Sequence, residues 1–167
     1  MRWKPHLRVE WLVGGIGAAL LLAGVLQFTR SVTSRAAPAP QVIALTQVPC
    51  QFIESERGID RGFRSGKAAD CVAINGRTGA ERLAQAQPMV LEPGRYIFRV
   101  TNKNVPYELG FWLRGDGLLN RAKLPSVSGG GMVQGSTQDY EITLLPGEYV
   151  YSCPLNPTPD YKLIVKG

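Results

Sequence analysis

An all-β sandwich or barrel is the fold that this sequence of 167 residues predicts, and two observations carry that reading. Short runs rich in β-branched, aromatic and aliphatic residues recur at near-regular spacing, at 42–46, 88–91, 96–102, 109–113, 140–144, 149–152 and 161–165. A turn sequence also repeats: Leu91-Glu92-Pro93-Gly94-Arg95-Tyr96-Ile97-Phe98 matches Leu144-Leu145-Pro146-Gly147-Glu148-Tyr149-Val150-Tyr151. Proline presets φ at the first corner and glycine supplies a positive φ at the next, so each copy predicts a type II turn that launches a strand.

The first 40 residues belong elsewhere. Residues 11–28, from Trp11 to Phe28, run without a charge for about 18 positions, close to the roughly 20 that cross a bilayer as a helix. Arg2, Lys4 and Arg8 precede the run, which orients residues 1–10 to the cytoplasm and the remainder to the extracytoplasmic side, a periplasm or a thylakoid lumen. A cleaved signal peptide is the alternative, with the small residues near Ser34 and Ala36 as its processing site. The apolar run is longer than a usual signal core, and two arginines follow it, which favours the uncleaved anchor. Residues 29–40, with Ala36-Ala37-Pro38-Ala39-Pro40, read as a short stiff linker, and a single domain occupies 41–167.

The formal charge is +6, but residues 41–167 hold 14 Lys/Arg against 12 Asp/Glu, a balance of +2. The basicity is concentrated ahead of the domain, and without a basic stripe in the folded part nucleic-acid binding is excluded as a class. Catalysis finds a poor inventory. The chain has one histidine, His6, ahead of the apolar run, so a Ser-His-Asp triad has no base and no zinc signature is present. A cysteine nucleophile would lack an imidazole partner, and the expectation is that the protein is not an enzyme.

Within the domain, Val42 to Thr46 form a first strand that Pro49 ends. From about 54 to 86 charges and glycines break the pattern, which predicts an inserted, mostly irregular surface excursion. It contains one short helix, Thr78 to Ala86, with Thr78 as N-cap and Glu81 as capping-box partner. The glycine-rich stretch Ser126 to Gly135 predicts a loop, and it lacks the lysine and hydroxyl residue of a phosphate-binding loop. Cys50, Cys71 and Cys153 lie in the exported part, where oxidation is permitted, and three cysteines allow three single disulfides among which spacing does not choose. The aromatic side chains read as packing rather than as an electron path.

Two stretches carry a family resemblance. Val100-Thr101-Asn102-Lys103-Asn104-Val105-Pro106-Tyr107-Glu108 resembles the cupredoxin strand end that runs into a first histidine ligand, with Tyr107 or Glu108 in the histidine's place. Leu145-Pro146-Gly147-Glu148-Tyr149 through Cys153, closing on Lys162-Leu163-Ile164-Val165-Lys166-Gly167, is similar to the cupredoxin-like domain of EfeO-type iron-uptake proteins, which also lacks the usual histidines. The resemblance implies an all-β, cupredoxin-like Greek-key β-sandwich, preceded here by the N-terminal transmembrane helix. It covers the cupredoxin part alone, so iron transport is not implied, and the chain departs from it in the insertion and in Pro154 to Asp160. In that family one cysteine follows the first strand and another sits in the C-terminal loop, which places them at Cys50 and Cys153.

A blue-copper centre needs two imidazoles and a thiolate, so the standard site does not form on this chain. The expected substitute is a copper or iron site at Cys153, with Cys50 or Met132 as soft donors and Glu108 or Asp160 as oxygen donors. If instead the cysteines are structural, Cys50 pairs with Cys153, or alternatively with Cys71 to clip the insertion. Two functions follow. One is a membrane-anchored extracytoplasmic protein for metal handling or electron transfer. The other is a metal-free cupredoxin-fold interaction module, an accessory subunit of a membrane complex with no cofactor.

Overall fold

A computed structural model describes residues 38–167. The expected transmembrane helix at 11–28, the cytoplasmic residues 1–10 and most of the linker lie outside the described residues, among which no helix is long and apolar enough to cross a membrane. Two sheets pack face to face. The first holds, in spatial order, β2 (Gln51–Phe52), β1 (Gln41–Val48), β4 (Gly94–Asn102) and β7 (Thr137–Leu144). The second holds β3 (Met89–Leu91), β9 (Tyr161–Val165), β8 (Gly147–Ser152), β5 (Leu109–Gly115) and β6 (Val127–Met132). β1 runs parallel to β4 and β3 parallel to β9, and the other pairings are antiparallel. The chain therefore crosses between the sheets repeatedly instead of completing one before starting the other.

Alternation sets the inward faces. In β4, Tyr96, Phe98, Val100 and Asn102 are buried at every second position, as are Tyr140, Ile142 and Leu144 in β7. Tyr149 and Tyr151 of β8 and Tyr161, Leu163 and Val165 of β9 meet them from the other sheet. Phe111 stacks with Phe98 at 5.7 Å between ring centres, and Phe52 approaches Phe111, Tyr151 and Tyr161 edge-on.

The repeated Pro-Gly sequence has a different geometry from the one its residues predict. Gly94 and Gly147 have φ of +158° and +152°, near extended, and each opens a strand instead of turning a type II corner. Each copy marks a crossing between sheets, from β3 to β4 and from β7 to β8. The tyrosine two residues on closes each crossing. Tyr96 donates its hydroxyl to the Glu92 carbonyl at 2.8 Å, and Tyr149 donates to the Leu145 carbonyl at 2.9 Å. These are two tyrosine corners, and they explain why the repeat extends as far as the tyrosine. At Gly147 the φ of +152° is one that residues with a Cβ rarely adopt, and a Cβ there would also press on the end of the Leu124 side chain, 2.7 Å from its Cδ1.

Two further expectations are corrected, and one element is added. The insertion carries a helix of 18 residues, α1 (Ala68–Gln85), not a short one from Thr78. Its start is set by Asp70, whose carboxylate accepts the Gly66 and Lys67 backbone N–H groups at 2.8 and 3.1 Å. Thr78 lies inside the helix and bonds back to the Ile74 carbonyl at 2.9 Å, the usual fate of an interior threonine. Part of the glycine-rich stretch is the edge strand β6, since glycine at 110 and 129 lets two backbones approach: a Cβ on Gly110 would lie 2.7 Å from the Gly129 carbonyl oxygen. A second helix, α2 (Gly117–Lys123), follows β5 unforeseen, its backbone laid on Gly115, where a Cβ would fall 2.3 Å from Asn120.

The strand directions divide the sandwich into two ends. Gln41, Gly94, Leu144, Gly147 and Val165 share one end with α2. The turn after β1, the segment before β5 and the cysteine-bearing loop after β8 share the other.

Candidate functional site

Cys153 leaves the end of β8 pointing inward and is 1% exposed. Its sulfur accepts backbone N–H groups from Gly110 at 3.3 Å and Asn156 at 3.1 Å. Thr158 folds the loop back on itself, its hydroxyl accepting the Cys153 N–H at 3.0 Å. Burial pushes the Cys153 thiol up, and the amides that favour a thiolate do not outweigh it. The group is a neutral thiol at ordinary pH, whereas nucleophilic attack and metal ligation use the thiolate.

Asn156, three residues on, is 0% exposed and fully engaged. Its Oδ1 accepts the Cys50 backbone N–H at 3.0 Å and the Tyr107 hydroxyl at 3.1 Å, and its Nδ2 donates to the Val48 carbonyl at 3.0 Å. The loop is thereby tied to the turn between β1 and β2. That turn places Pro49 at its first corner and Cys50 at its second with φ of +65°, a left-handed conformation uncommon for a residue with a Cβ. The Asn156 bond and the disulfide hold it there.

The disulfide joins Cys50 to Cys71, with the Cα atoms 4.9 Å apart, and Cys153 is free. The leading expectation of a Cys50–Cys153 bridge is corrected. The reason is the direction of the side chains: the left-handed turn aims Cys50 at α1, while Cys153 turns to Gly110 and Asn156 in the core.

One face of α1 then covers the loop, with contacts at positions 71, 75, 79 and 82. Asn75 donates to the Cys50 and Pro157 carbonyls, and Gly79 faces the Pro159 ring, whose Cγ would lie 3.9 Å from a Cβ at 79. Arg82 reaches the Cys50 carbonyl at 3.0 Å and Glu56 at 2.5 Å in a buried ion pair, and stacks over Phe63 at 4.9 Å. Glu56 also accepts from Tyr161 at 2.6 Å and Arg61 at 2.5 Å. Burial alone would raise the Glu56 carboxyl, but the bonds from Arg82, Tyr161 and Arg61 outweigh it and hold the carboxyl below its usual value. The expected surface excursion is thus the cover of this end of the sandwich.

The residues expected to bind metal are only partly brought together. Cys153 and Met132 share the buried core cluster. Cys50 is consumed by its disulfide, so its place as a soft ligand is withdrawn. Glu108 lies on the surface, accepting the Gly131 N–H at 2.8 Å, and Asp160 forms a two-pronged pair with Arg114 at 2.7 and 2.8 Å. Among the described residues, no three or more His, Cys, Asp and Glu side chains cluster closely enough to hold a metal ion. The donors that remain are one neutral thiol and one thioether, and they do not fit a blue-copper centre.

Two residues at the site escape sequence reasoning. Gln47 is fully buried, donates to the Gly110 carbonyl at 2.8 Å and leaves its Oε1 without a partner among the described residues. A glutamine in register with the apolar strand positions was the only signal it gave. Asn156 gave less, since an asparagine between prolines reads as turn chemistry. Beside the loop, Gly110, Phe111, Trp112, Gly129, Pro154 and Leu155 line an open apolar depression of about 330 Å³.

No family model matches the chain, and no curated protein matches it. Among solved structures it is similar to auracyanin B, at 12% sequence identity over 78% of this chain and 92% of that one, with a TM-score of 0.48. A similarity of that degree decides nothing by itself, and the two-sheet architecture rests on the strand order and register.

Proposed function

We propose that this domain is a metal-free, cupredoxin-like interaction module, held on the extracytoplasmic side of a membrane by residues 11–28 as an accessory subunit of a membrane complex. The observation that carries the reading is Asn156. The residue three beyond the cysteine is a buried asparagine whose backbone N–H binds the sulfur and whose carboxamide is spent on Val48, Cys50 and Tyr107, so the loop presents no imidazole there. The cover formed by α1 agrees with it, as does the absence of histidine from residues 38–167. The depression beside Pro154 and Leu155, walled by an edge strand, is the face offered to a protein partner.

A second reading, copper or iron handling at Cys153, is favoured by one feature: an unbridged thiol and the Met132 thioether in the same buried cluster, with the unpartnered Oε1 of buried Gln47 at the same end of the fold. The two are separated by titrating the purified chain with Cu(I) and Fe(II), with Cys153→Ser as control. The module reading expects no stoichiometric uptake and a Cys153 that resists thiol reagents until the protein is unfolded. One equivalent of metal bound by the parent chain and lost in Cys153→Ser overturns it in favour of metal handling.

A further inference from the structure

The end of the sandwich opposite Cys153 has a property that its packing does not use. α2 spans seven residues, none of them buried, and Leu118 and Leu119 at its start are 84% and 75% exposed, the two most exposed large apolar residues in the domain. Leu145 and Val42 are exposed at the same end. Arg121 and Lys123 follow on α2, with no ion pair among the described residues. Scattered apolar residues on a surface mean little, but two adjacent leucines raised on a helix and followed by two cations, Lys123 and an Arg121 that lies 5.6 Å over the Trp112 ring, form an amphipathic tip.

The position of this tip says what covers it. The chain enters the domain here, since Gln41 pairs with Tyr96 near the start of β4. Upstream lies the uncharged run 11–28, joined by residues 29–40. Twelve residues of proline-containing linker reach at most roughly 40 Å, so a domain tethered by them stays at high effective concentration against the bilayer that the run would span. A weak apolar contact then suffices for docking. We infer that Leu118 and Leu119 seat in the interfacial layer of that membrane, with Arg121 and Lys123 at its anionic headgroups, so that the Cys153 end faces away from the lipid. This rests on the membrane reading of residues 11–28 given above.

Leu119→Trp tests it in the full chain reconstituted into vesicles of zwitterionic and anionic phospholipid with brominated acyl chains, with the parent chain supplying the baseline from Trp3, Trp11 and Trp112. The expected result is an added emission that is blue-shifted and quenched by about half or more, as for a group some 5–10 Å below the headgroups. Adding Leu118→Asp should abolish that quenching. Added emission that is red and unquenched while the baseline signal is quenched overturns the proposal and leaves the anchor standing, and a partner protein becomes the occupant to seek. If the baseline is not quenched either, the membrane reading has failed and the proposal falls with it. Quenching that persists in the Leu118→Asp double variant also overturns it, because the lipid contact then does not depend on the leucine pair.

Discussion

The two ends of this sandwich are closed by opposite means. The α2 end is closed by local devices: each tyrosine corner joins residues four positions apart, Glu92 with Tyr96 and Leu145 with Tyr149, and recurs as the same short sequence. The Cys153 end is closed by long-range ones: a disulfide between positions 50 and 71, a bond from Cys50 to Asn156 and an ion pair from Glu56 to Arg82. Local closure leaves surface free, and α2 stands exposed. Long-range closure consumes polar groups, and it leaves Cys153 buried among backbone amides.

The comparison breaks most severely at Arg82. Arg82→Ala removes the buried partner of Glu56, leaving Arg61 and Tyr161 to hold the carboxylate, and takes a donor from the Cys50 carbonyl, and should cost about 3 kcal/mol or slightly more in denaturant unfolding of the purified chain. The same carboxyl predicts an acid limit. Its folded-state value is depressed, so its stabilisation is full above the unfolded value of about 4.3 and is lost as pH falls through the folded one. Unfolding midpoints should therefore drop below about pH 4, and Glu56→Gln should flatten that limb.

Opening the bridge comes next. Cys71→Ser should cost about 3 kcal/mol for a loop of this size, and mass-spectrometric labelling should show Cys153 reacting faster than in the parent chain. Stability lost with no gain in labelling would mean that α1 covers the loop without its covalent tie. At the other end, Tyr149→Phe or Tyr96→Phe should cost only about 1 kcal/mol, the worth of one hydrogen bond, and leave the labelling of Cys153 unchanged. The smallest effect belongs to Arg99→Ala. Its pair with Asp139 bridges β4 and β7 in solvent, and thermal unfolding should not resolve the loss.

The sequence was legible where structure is local or periodic. The strands from 88 to 165 fall near their expected positions because alternation exposes which face is buried. The Pro-Gly-x-Tyr repeat was visible, although its geometry was read as a type II turn, because the residue that decides it, the tyrosine, acts through a hydroxyl that a turn rule does not include. The glycines of β6 read as loop because glycine's lack of a side chain serves both loops and close backbones. α1 was read from its second half only, because its buried residues are Cys71, Gly79 and Arg82, which form no stripe of large apolar side chains.

By itself, then, the sequence determined an all-β sandwich, a single histidine that forbids a standard copper centre, and an uncharged run able to span a bilayer. Each of these is written in composition or in neighbours a few residues apart. Only the tertiary structure decided that Cys50 pairs with Cys71, that Asn156 ties the Cys153 loop to the turn after β1 and that the insertion is a cover. Those outcomes depend on the directions in which groups separated by up to 108 positions meet, and one-dimensional spacing does not contain direction.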